Sequence, residues 1–345
     1  MDLCKKISAL LFSILLLAGC ADKKVPPTEE AIADTSTAQE AEALASEAER
    51  LTAWSVYWDC ADDMELLRNE ADNVDEISLF AAYFQDGELV IPEATAQMLK
   101  KIRRRDATNG KTVYLSVVND VRANGKTTQK DTAILEQLLG TDAAAQEHAE
   151  QLVRLASENG YDGIEIDYEK LRKNMNLWEL FLNFERKLLP LAQAAGLKVR
   201  IILEPGIPAD QLDFPEGAEY VVMCYNLFGS GTEPGPKADF AFLQQLVEKF
   251  SSVPELSYAL ANGGYIWEEG STAPTQCRAS EAKALAEKAG IEPERDPDSG
   301  ALFFSCMDGK TRYTVWYADE TTLAQWTQKL NELAVKKVPV SLWRL

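Results

Sequence analysis

Residues 162–169 read Asp-Gly-Ile-Glu-Ile-Asp-Tyr-Glu, and this stretch decides how the rest of the chain is interpreted. From Ile164 onward, apolar or aromatic residues alternate with acidic ones. A period of two is that of a β-strand, so Glu165, Asp167 and Glu169 lie on one face. Carboxylates that share a strand face repel one another and resist removal from water, so folding stability alone does not favour them. A site that transfers protons would favour them.

The alternative is an edge strand whose acidic face is simply wet, because charged residues are mostly exposed and this chain is acidic throughout. Two features argue against it. Asp162-Gly163 indicates a tight turn before the strand, and a helical pattern from Trp178 to Leu191 follows after a short loop. Strand, loop and helix form the unit of a parallel sheet, whose outer face is covered by helices. In a closed barrel of such units the acidic face points inward, toward the mouth of the barrel.

Three motifs, in order along the chain, resemble those of one known family. Residues 162–169 resemble the DxxDxDxE signature on strand four of glycoside hydrolase family 18, the chitinase-like (β/α)8 barrels. The departure is Glu165, where the family usually has Asp or Asn. Met223-Cys-Tyr225-Asn226 resembles the Met-x-Tyr-Asp motif of strand six, with Asn in the last position. Ser-Leu-Trp-Arg-Leu at 341–345 resembles the final barrel strand, which carries a sugar-stacking tryptophan, here Trp343.

Two further segments indicate the branch of the family. Thr-Val-Trp-Tyr-Ala-Asp at 314–319 is similar to a segment of the spore-cortex and germination-type branch. The Ser-x-Gly-Gly element common on strand three of true chitinases is replaced by Ser-Val-Val-Asn at 116–119. The resemblance covers roughly Thr52 to Leu345. It implies a (β/α)8 barrel that acts on glycans containing N-acetylglucosamine, with peptidoglycan favoured over chitin.

The strand and helix patterns predict an α/β (β/α)8 TIM barrel with an insertion between strands seven and eight. Such a barrel takes about 250 residues plus insertions, and the chain has 345. The predicted strands are Ala53–Asp59, Glu76–Ala82, Thr112–Val118, Gly163–Tyr168, Lys198–Leu203, Tyr220–Tyr225, Leu256–Ala261 and Val340–Trp343. Helical patterns lie near 62–73, 93–106, 129–158, 174–194, 238–251 and 321–335. No glycine-rich turn follows the first strand, so we expect no dinucleotide site.

The insertion runs from about Glu268 to Asp319 and is too long for a simple loop. It contains a helical pattern near 280–289 and a hairpin pattern that joins 302–304 to 313–316. No helical pattern follows strand eight. We therefore predict that a helix at Thr37–Leu51 helps to cover the gap beside strands one and eight.

The chemistry of (β/α)8 enzymes lies at the C-terminal ends of the strands. Glu169 is the last acidic residue of strand four and thus nearest the mouth, and Asp167 lies about 7 Å deeper. Like charges this close discourage simultaneous ionisation, so one proton is retained near neutral pH. We therefore expect Glu169 to act as the general acid toward a glycosidic oxygen.

No second carboxylate is evident as a nucleophile. The family resemblance implies substrate assistance, in which the 2-acetamido carbonyl of the sugar attacks its own anomeric carbon. It also implies that Asp167 orients the acetamido N–H and that Tyr225 hydrogen-bonds the carbonyl oxygen. Glu165 would share a proton with Asp167, and Trp343 would form an apolar floor under the sugar. The alternative for Tyr225 and Trp343 is that they simply fill the barrel core.

Other candidates for substrate binding lie at predicted strand ends. They are Trp58, Asn119, Glu204, Asn226 and Trp267, with Asp59 beside the first of them. An amide at position 226 cannot tune acetamido chemistry as a carboxylate would, but it can hydrogen-bond the sugar. No spacing of cysteines and histidines resembles a zinc site, and we expect neither a metal nor a cofactor.

Residues 1–19 are predicted to be a lipoprotein signal peptide. Two lysines precede an apolar run from Ile7 to Leu17, which is too short for a membrane span. The Leu-Ala-Gly-Cys at 17–20 resembles a bacterial lipobox and implies a lipid anchor on Cys20, at a membrane of the bacterial cell envelope and outside the cytoplasm. An ordinary secretory peptide with an incidental cysteine is the alternative. Residues 20–50 are typical of a tether with a possible short helix, and 51–345 form the glycosidase-like domain.

The formal net charge of −20 argues against nucleic acid or anionic polymers as partners captured by charge, whereas a neutral sugar chain is compatible. The only histidine, His148, lies in a polar helical pattern and is expected at the solvated surface. A Cys277–Cys306 bridge is plausible outside the cytoplasm, and Cys60 and Cys224 are expected to be buried thiols. No feature indicates a dimer, so we expect a monomer.

The leading hypothesis is a retaining β-N-acetylglucosaminidase at the cell surface that hydrolyses peptidoglycan glycan, with chitin oligosaccharides or the N-glycan core next. The alternative is a catalytically inactive chitinase-like protein that binds carbohydrate. The presence of both Glu169 and Asp167 argues against that alternative. A purely structural envelope protein would leave the inward row of carboxylates unexplained.

Overall fold

The computed structural model describes residues 44–59 and 71–343. The predicted signal peptide, Cys20, most of the tether, Cys60 and nearly all of the helix expected near 62–73 lie outside these residues. Within the described ranges, no helix is both long and apolar enough to cross a membrane.

Eight parallel strands close into a barrel, as the sequence predicts. The strands of the described chain are β1 Leu51–Val56, β2 Glu76–Gln85, β3 Glu88–Val90, β4 Thr112–Ala123, β5 Lys126–Thr128, β6 Gly163–Asp167, β7 Lys198–Leu203, β8 Glu219–Met223, β9 Leu256–Ala261, β10 Gly263–Glu268, β11 Thr275–Cys277, β12 Glu294–Arg295, β13 Leu302–Asp308, β14 Thr311–Ala318 and β15 Val340–Trp343. The barrel order is β2, β1, β15, β9, β8, β7, β6, β4, and β4 pairs with β2 to complete the circle. This is the predicted (β/α)8 architecture.

Helices follow most of the barrel strands. In the described residues they are α1 Glu93–Arg104, α2 Asp106–Asn109, α3 Thr132–Leu139, α4 Asp142–Asn159, α5 Met175–Ala194, α6 Phe240–Lys249, α7 Ala279–Ala289 and α8 Glu320–Ala334, with 3-10 turns at Ala71–Asn73 and Ala209–Gln211. The single helix expected over 129–158 is two helices. Thr141 begins the second one, because its side chain accepts a 3.1 Å hydrogen bond from the backbone N–H of Ala144.

The segment before the barrel packs beside strands one and eight, as predicted. Its described part, residues 44–50, buries apolar side chains in the main core. The backbone N–H of Glu49 donates a 3.0 Å hydrogen bond to the carbonyl of Val338, just before β15. The helical turn ends at residue 47, and not at Leu51 as expected, because Leu51 begins β1 and pairs with Val340.

The insertion between β9 and β15 forms a separate antiparallel sheet, in the order β11, β10, β14, β13, β12. The predicted hairpin is present as β13 and β14, and α7 packs on the sheet. The bridge considered between Cys277 and Cys306 is wrong. Two strands separate β11 from β13, at about 4.8 Å for each strand spacing. The two cysteines are therefore beyond the reach of a disulfide and are not bonded to each other.

His148 is buried, and the expectation of a solvated surface position is wrong. Its ring stacks on Phe184, with the centroids 5.3 Å apart, and its Nε2 lies 2.7 Å from the hydroxyl oxygen of Tyr168. His148 lies on the face of α4 that packs toward β6. The polar residues around it in the sequence do not indicate that this face is buried. Burial lowers the pKa of His148 to about 4, so the ring is neutral at physiological pH.

A buried carboxyl on α5 makes stability depend on pH. Glu185 is fully buried and accepts a 2.8 Å hydrogen bond from the Tyr220 hydroxyl. Burial raises the pKa of Glu185 from 4.5 to about 8. The folded protein therefore keeps a proton that the unfolded chain has already released. Because the folded-state pKa is the higher one, this contribution to stability is complete below pH 4.5 and is lost as the pH rises through 8.

Glu185→Gln should therefore become more stable than the wild type as the pH rises. Glutamine can still accept from Tyr220 but has no proton to lose. We expect its Tm to exceed that of the wild type by about 5–10 °C at pH 9, with a much smaller difference near pH 5. Thermal unfolding followed by circular dichroism across this range measures the effect. Glu179→Gln, an exposed change on the same helix, serves as the control. A Tm difference for Glu185→Gln that stays constant with pH would contradict the assignment.

Candidate active site

A cleft of about 280 Å³ opens at the C-terminal ends of the barrel strands. Its lining brings together residues that are far apart in the sequence, as expected for a (β/α)8 enzyme. The polar, charged and aromatic side chains of the lining include Trp54, Tyr57, Trp58, Phe80, Tyr83, Asn119, Asp120, Arg122, Lys130, Asp167, Glu169, Tyr225, Asn226 and Trp343. Seven of the candidates chosen from the sequence are in this set: Trp58, Asn119, Asp167, Glu169, Tyr225, Asn226 and Trp343.

Glu165 does not line the cleft, which corrects its assignment to substrate binding. It is fully buried in the barrel interior, where its Oε1 accepts from the Trp54 indole at 2.5 Å and the Ser78 hydroxyl at 2.7 Å. Its Oε2 lies 3.1 Å from the guanidinium of Arg200, which β7 places directly beside it. Glu165 is therefore held inside the barrel by two hydrogen bonds and an ion pair, and it does not reach the cleft.

Asp167 is the last residue of β6, and its carboxyl faces the cleft although the residue is only 7% exposed. Among the described residues, its Oδ1 has no hydrogen-bond partner. Burial raises the pKa of Asp167 well above its ordinary value, and the negative charge of Glu169 adds to this, whereas Lys130 opposes it. A buried carboxyl without a partner is costly, so such a group at a cavity indicates a ligand that completes its hydrogen bonds.

Glu169 lies two residues after the end of β6 and is held in place by Asn119. The Asn119 side chain accepts from the Glu169 N–H at 3.0 Å and donates to its carbonyl at 3.1 Å. The Glu169 carboxylate forms an ion pair with Lys130. Burial raises the pKa of Glu169, and the Lys130 charge and hydrogen bond lower it. Two opposing effects therefore set the proton affinity of this acid.

Tyr225 and Asn226 follow β8 and line the cleft from another side. Tyr225 is buried, and burial together with the charge of Asp167 raises the pKa of its hydroxyl well above the usual range. The hydroxyl therefore stays protonated and can donate a hydrogen bond. Asn226 is exposed, with a left-handed backbone (φ 63°), and its side-chain oxygen accepts a 3.0 Å hydrogen bond from Tyr265 of the insertion.

Aromatic rings form the apolar part of the cleft. Trp343 lies edge-on to Trp54 and Phe80, with centroid distances of 5.8 and 5.1 Å. Trp58 is half exposed and contacts Phe80 at 5.9 Å. Trp343 packs in a small apolar cluster and also lines the cavity. It therefore fills part of the core and also presents an apolar surface to the cleft, the two positions considered for it from the sequence.

The barrel is similar to those of several solved structures, and the sequence is similar to that of a curated protein. No family model matches the chain. The sporulation-specific glycosylase YdhD of Bacillus subtilis is 23% identical over 302 residues, covering 82% of this chain and 68% of that protein. Among solved structures, the spore cortex-lytic enzyme SleL of Bacillus megaterium has a TM-score of 0.70 at 17% identity, covering 86% of this chain and 70% of SleL. A glycoside hydrolase family 18 N-acetylglucosaminidase from Paenibacillus barengoltzii has a TM-score of 0.65 at 15% identity, covering 86% and 95%.

The predicted resemblance to glycoside hydrolase family 18 is confirmed. Chitinases are among the other solved structures of the same fold. The relatives are glycosylases and glycoside hydrolases by name, in agreement with the class predicted from the sequence. At these identities the solved structures show the shared barrel, and the roles of individual residues depend on the geometry described above.

Besides Glu165, two further candidates, Glu204 and Trp267, lie outside the cleft lining, as does Asp59 next to Trp58. Glu204 accepts from the backbone N–H of Lys170 at 2.7 Å and borders a separate shallow depression. Trp267 was expected at the end of barrel strand β9, but β9 stops at Ala261. Trp267 is instead buried in β10, which belongs to the insertion. Asp59 forms a 3.3 Å ion pair with Arg278.

Sequence reasoning missed the wall that carries Arg122 and Lys130. Strands β2 and β4 have 10 and 12 residues, against 4–6 in the other barrel strands, and they extend past the mouth. Each turns back through a hairpin, at Asp86-Gly87 and Asn124-Gly125, with all four residues at positive φ. Asp-Gly and Asn-Gly are the strongest short signals for such turns, so the sequence did contain the information.

Removing the Lys130 charge should raise the pKa of Glu169. Lys130→Met keeps most of the side-chain volume but removes the cation that lowers the pKa of Glu169, so we expect the titration midpoint of Glu169 to rise. Carboxyl-carbon NMR of ¹³C-glutamate-labelled protein measures it, with Glu169→Gln used to assign the signal. Lys126→Met, on the same hairpin, should leave the midpoint unchanged. An unaltered midpoint in Lys130→Met would show that the ion pair does not control this acid.

Proposed function

We propose that the protein is a retaining β-N-acetylglucosaminidase that uses the 2-acetamido group of its own substrate as the nucleophile. The observation that carries the proposal is the buried, unpartnered Oδ1 of Asp167, beside Glu169 in the same cleft. Two carboxyl groups whose environments differ, one with a pKa raised by burial and one also influenced by Lys130, are the pairing that this chemistry needs.

The first step is cleavage of the glycosidic bond. Glu169 donates its proton to the leaving oxygen while the acetamido carbonyl oxygen attacks the anomeric carbon and forms a cyclic oxazoline-type intermediate. Asp167 hydrogen-bonds the acetamido N–H, and the Tyr225 hydroxyl donates to the carbonyl oxygen. In the second step Glu169, now ionised, takes a proton from the water that opens the ring. Two displacements at the anomeric carbon retain its configuration.

Substrate assistance is favoured over an enzyme nucleophile by what the other carboxylates do. Asp120 is the one further carboxylate among the described residues that line the cleft. Its Oδ1 accepts from the backbone N–H of Lys130 at 2.8 Å, so it is engaged in the turn. Glu165 is paired with Arg200 in the barrel interior. Neither group is placed as a second catalytic carboxylate.

Peptidoglycan glycan is the proposed target. The names of YdhD and SleL connect proteins of this fold to sporulation and to the spore cortex. We further propose that Cys20 carries a lipid anchor that places the enzyme outside the cytoplasm at a membrane of the cell envelope, where such a glycan occurs. Labelling with a radioactive fatty acid, in wild type and Cys20→Ser, tests the anchor.

Loss of the general acid should abolish turnover without abolishing binding. We expect Glu169→Gln to lower kcat by about 10²–10⁴-fold on 4-methylumbelliferyl chitobioside and on purified sacculi, because general acid catalysis contributes that much. Glu158→Gln, an exposed change on α4, is the matched control. The 4-methylumbelliferyl cellobioside, which has a hydroxyl in place of the acetamido group, should not be turned over.

Other outcomes separate the hypotheses. Turnover of the cellobioside would exclude the acetamido group as the nucleophile. Binding of the oligosaccharides by wild type and Glu169→Gln alike, with turnover by neither, would support the alternative of a carbohydrate-binding protein. We disfavour that alternative because Asp167 and Glu169 are both present and both face the cleft.

A further inference from the structure

Arg122 is a cleft-lining cation that the proposed reaction does not use. It lies on the part of β4 that extends past the barrel mouth, where it pairs with Gln85 of β2 and Thr127 of β5. Asn119, which fixes Glu169, lies three residues earlier on the same strand, about 10 Å away along it. Arg122 is therefore placed to meet a sugar next to the one at the scissile bond.

The guanidinium of Arg122 is held in a fixed orientation. It donates to the hydroxyl oxygens of Tyr83 at 2.8 Å and Tyr57 at 2.6 Å. It also stacks over the Tyr83 ring, 3.8 Å from the centroid. A planar donor group fixed in this way loses little further entropy when it binds a ligand, and its geometry suits the two oxygens of a carboxylate.

Among the residues that the structure describes, no carboxylate balances the charge of Arg122. No carboxylate of the described residues lies within ion-pair distance of it, whereas the other cleft-lining lysine or arginine of those residues, Lys130, is paired with Glu169. Such a cation at a cleft is suited to an anionic group of the ligand.

We propose that Arg122 binds a carboxylate of the substrate and so selects glycans in which N-acetylglucosamine alternates with a lactyl-ether-bearing sugar of the muramic acid type. The inference rests on the proposed function and specifies its substrate. The carboxylate belongs either to the lactyl group itself or to a peptide attached to it, and the chemistry of recognition is the same. Because the net charge of −20 disfavours long-range capture of an anion, recognition is local, through this one guanidinium.

Three oligosaccharides of equal length test the proposal. They are an alternating N-acetylglucosamine–muramic acid tetrasaccharide with free lactyl carboxylates, the same compound with methylamide groups in their place, and chitotetraose. A fourth, with a short peptide on the lactyl group, identifies the source of the carboxylate. The quantity measured is the ratio of kcat/KM for each anionic glycan to that for chitotetraose.

Arg122→Gln should lower that ratio by about tenfold or more, because a charge-assisted hydrogen bond to a carboxylate is lost. Arg122→Lys should recover only part of it, since lysine lacks the planar fork. The exposed change Arg154→Gln on α4 is the control and should leave the ratio unchanged. If Arg122→Gln lowers the ratio for the free lactyl compound, the lactyl carboxylate is the group that Arg122 binds. If it lowers the ratio only for the peptide compound, the carboxylate belongs to the peptide. Either result supports the proposal.

A loss that is equal for all four glycans overturns the proposal, because it would mean that Arg122 only supports the wall. An unchanged ratio overturns it as well. In a Glu169→Gln background, calorimetry gives the Kd of each glycan, and the Kd values for the anionic glycans are compared with that for chitotetraose. If the wild type hydrolyses none of the compounds but Arg122 still controls the Kd ratio, the proposed hydrolysis fails and the carboxylate site stands.

Discussion

At the centre of the barrel, the guanidinium of Arg200 lies 3.1 Å from the carboxylate of Glu165, and neither side chain is exposed. A buried charge that loses its partner costs about 3–5 kcal/mol, so each of these groups requires the other. Trp54 and Ser78 donate to Glu165, and Ser341 accepts from Arg200. These contacts join β1, β2, β6, β7 and β15 at one level of the barrel, directly below the cleft.

This ion pair determines which carboxyl is left for the substrate. Glu165 lies in the barrel interior beside Arg200, whereas Asp167 reaches the cleft with an unpartnered oxygen and with a pKa that burial raises. Glu169, further out, is fixed by Asn119 and paired with Lys130. The acidic residues that look equivalent in the sequence are therefore three different groups. Glu165 is the interior partner of Arg200, Asp167 is a buried acid at the cleft with a raised pKa, and the pKa of Glu169 is under opposing influences.

Period-two patterns located the eight barrel strands because each strand alternates or is continuously apolar, and the three motifs located Asp167, Glu169, Tyr225 and Trp343. What could not be predicted depends on neighbours that are distant in sequence. The sequence around Glu165 does not indicate that Arg200 lies beside it. The register of β6 against β7 in the folded barrel places the two residues side by side. The wall that carries Lys130 was missed for another reason, because its Asn-Gly and Asp-Gly turns were not used to extend β2 and β4.

The central claim is that the 2-acetamido group of a sugar completes the hydrogen bonds of Asp167. A crystal structure of Glu169→Gln with bound chitotriose tests this most directly. The account predicts the acetamido nitrogen within about 3 Å of Asp167 Oδ1, its carbonyl oxygen at a similar distance from the Tyr225 hydroxyl, and the sugar ring on Trp343. A sugar whose acetamido group points into solvent, with Asp167 still without a partner, would contradict it.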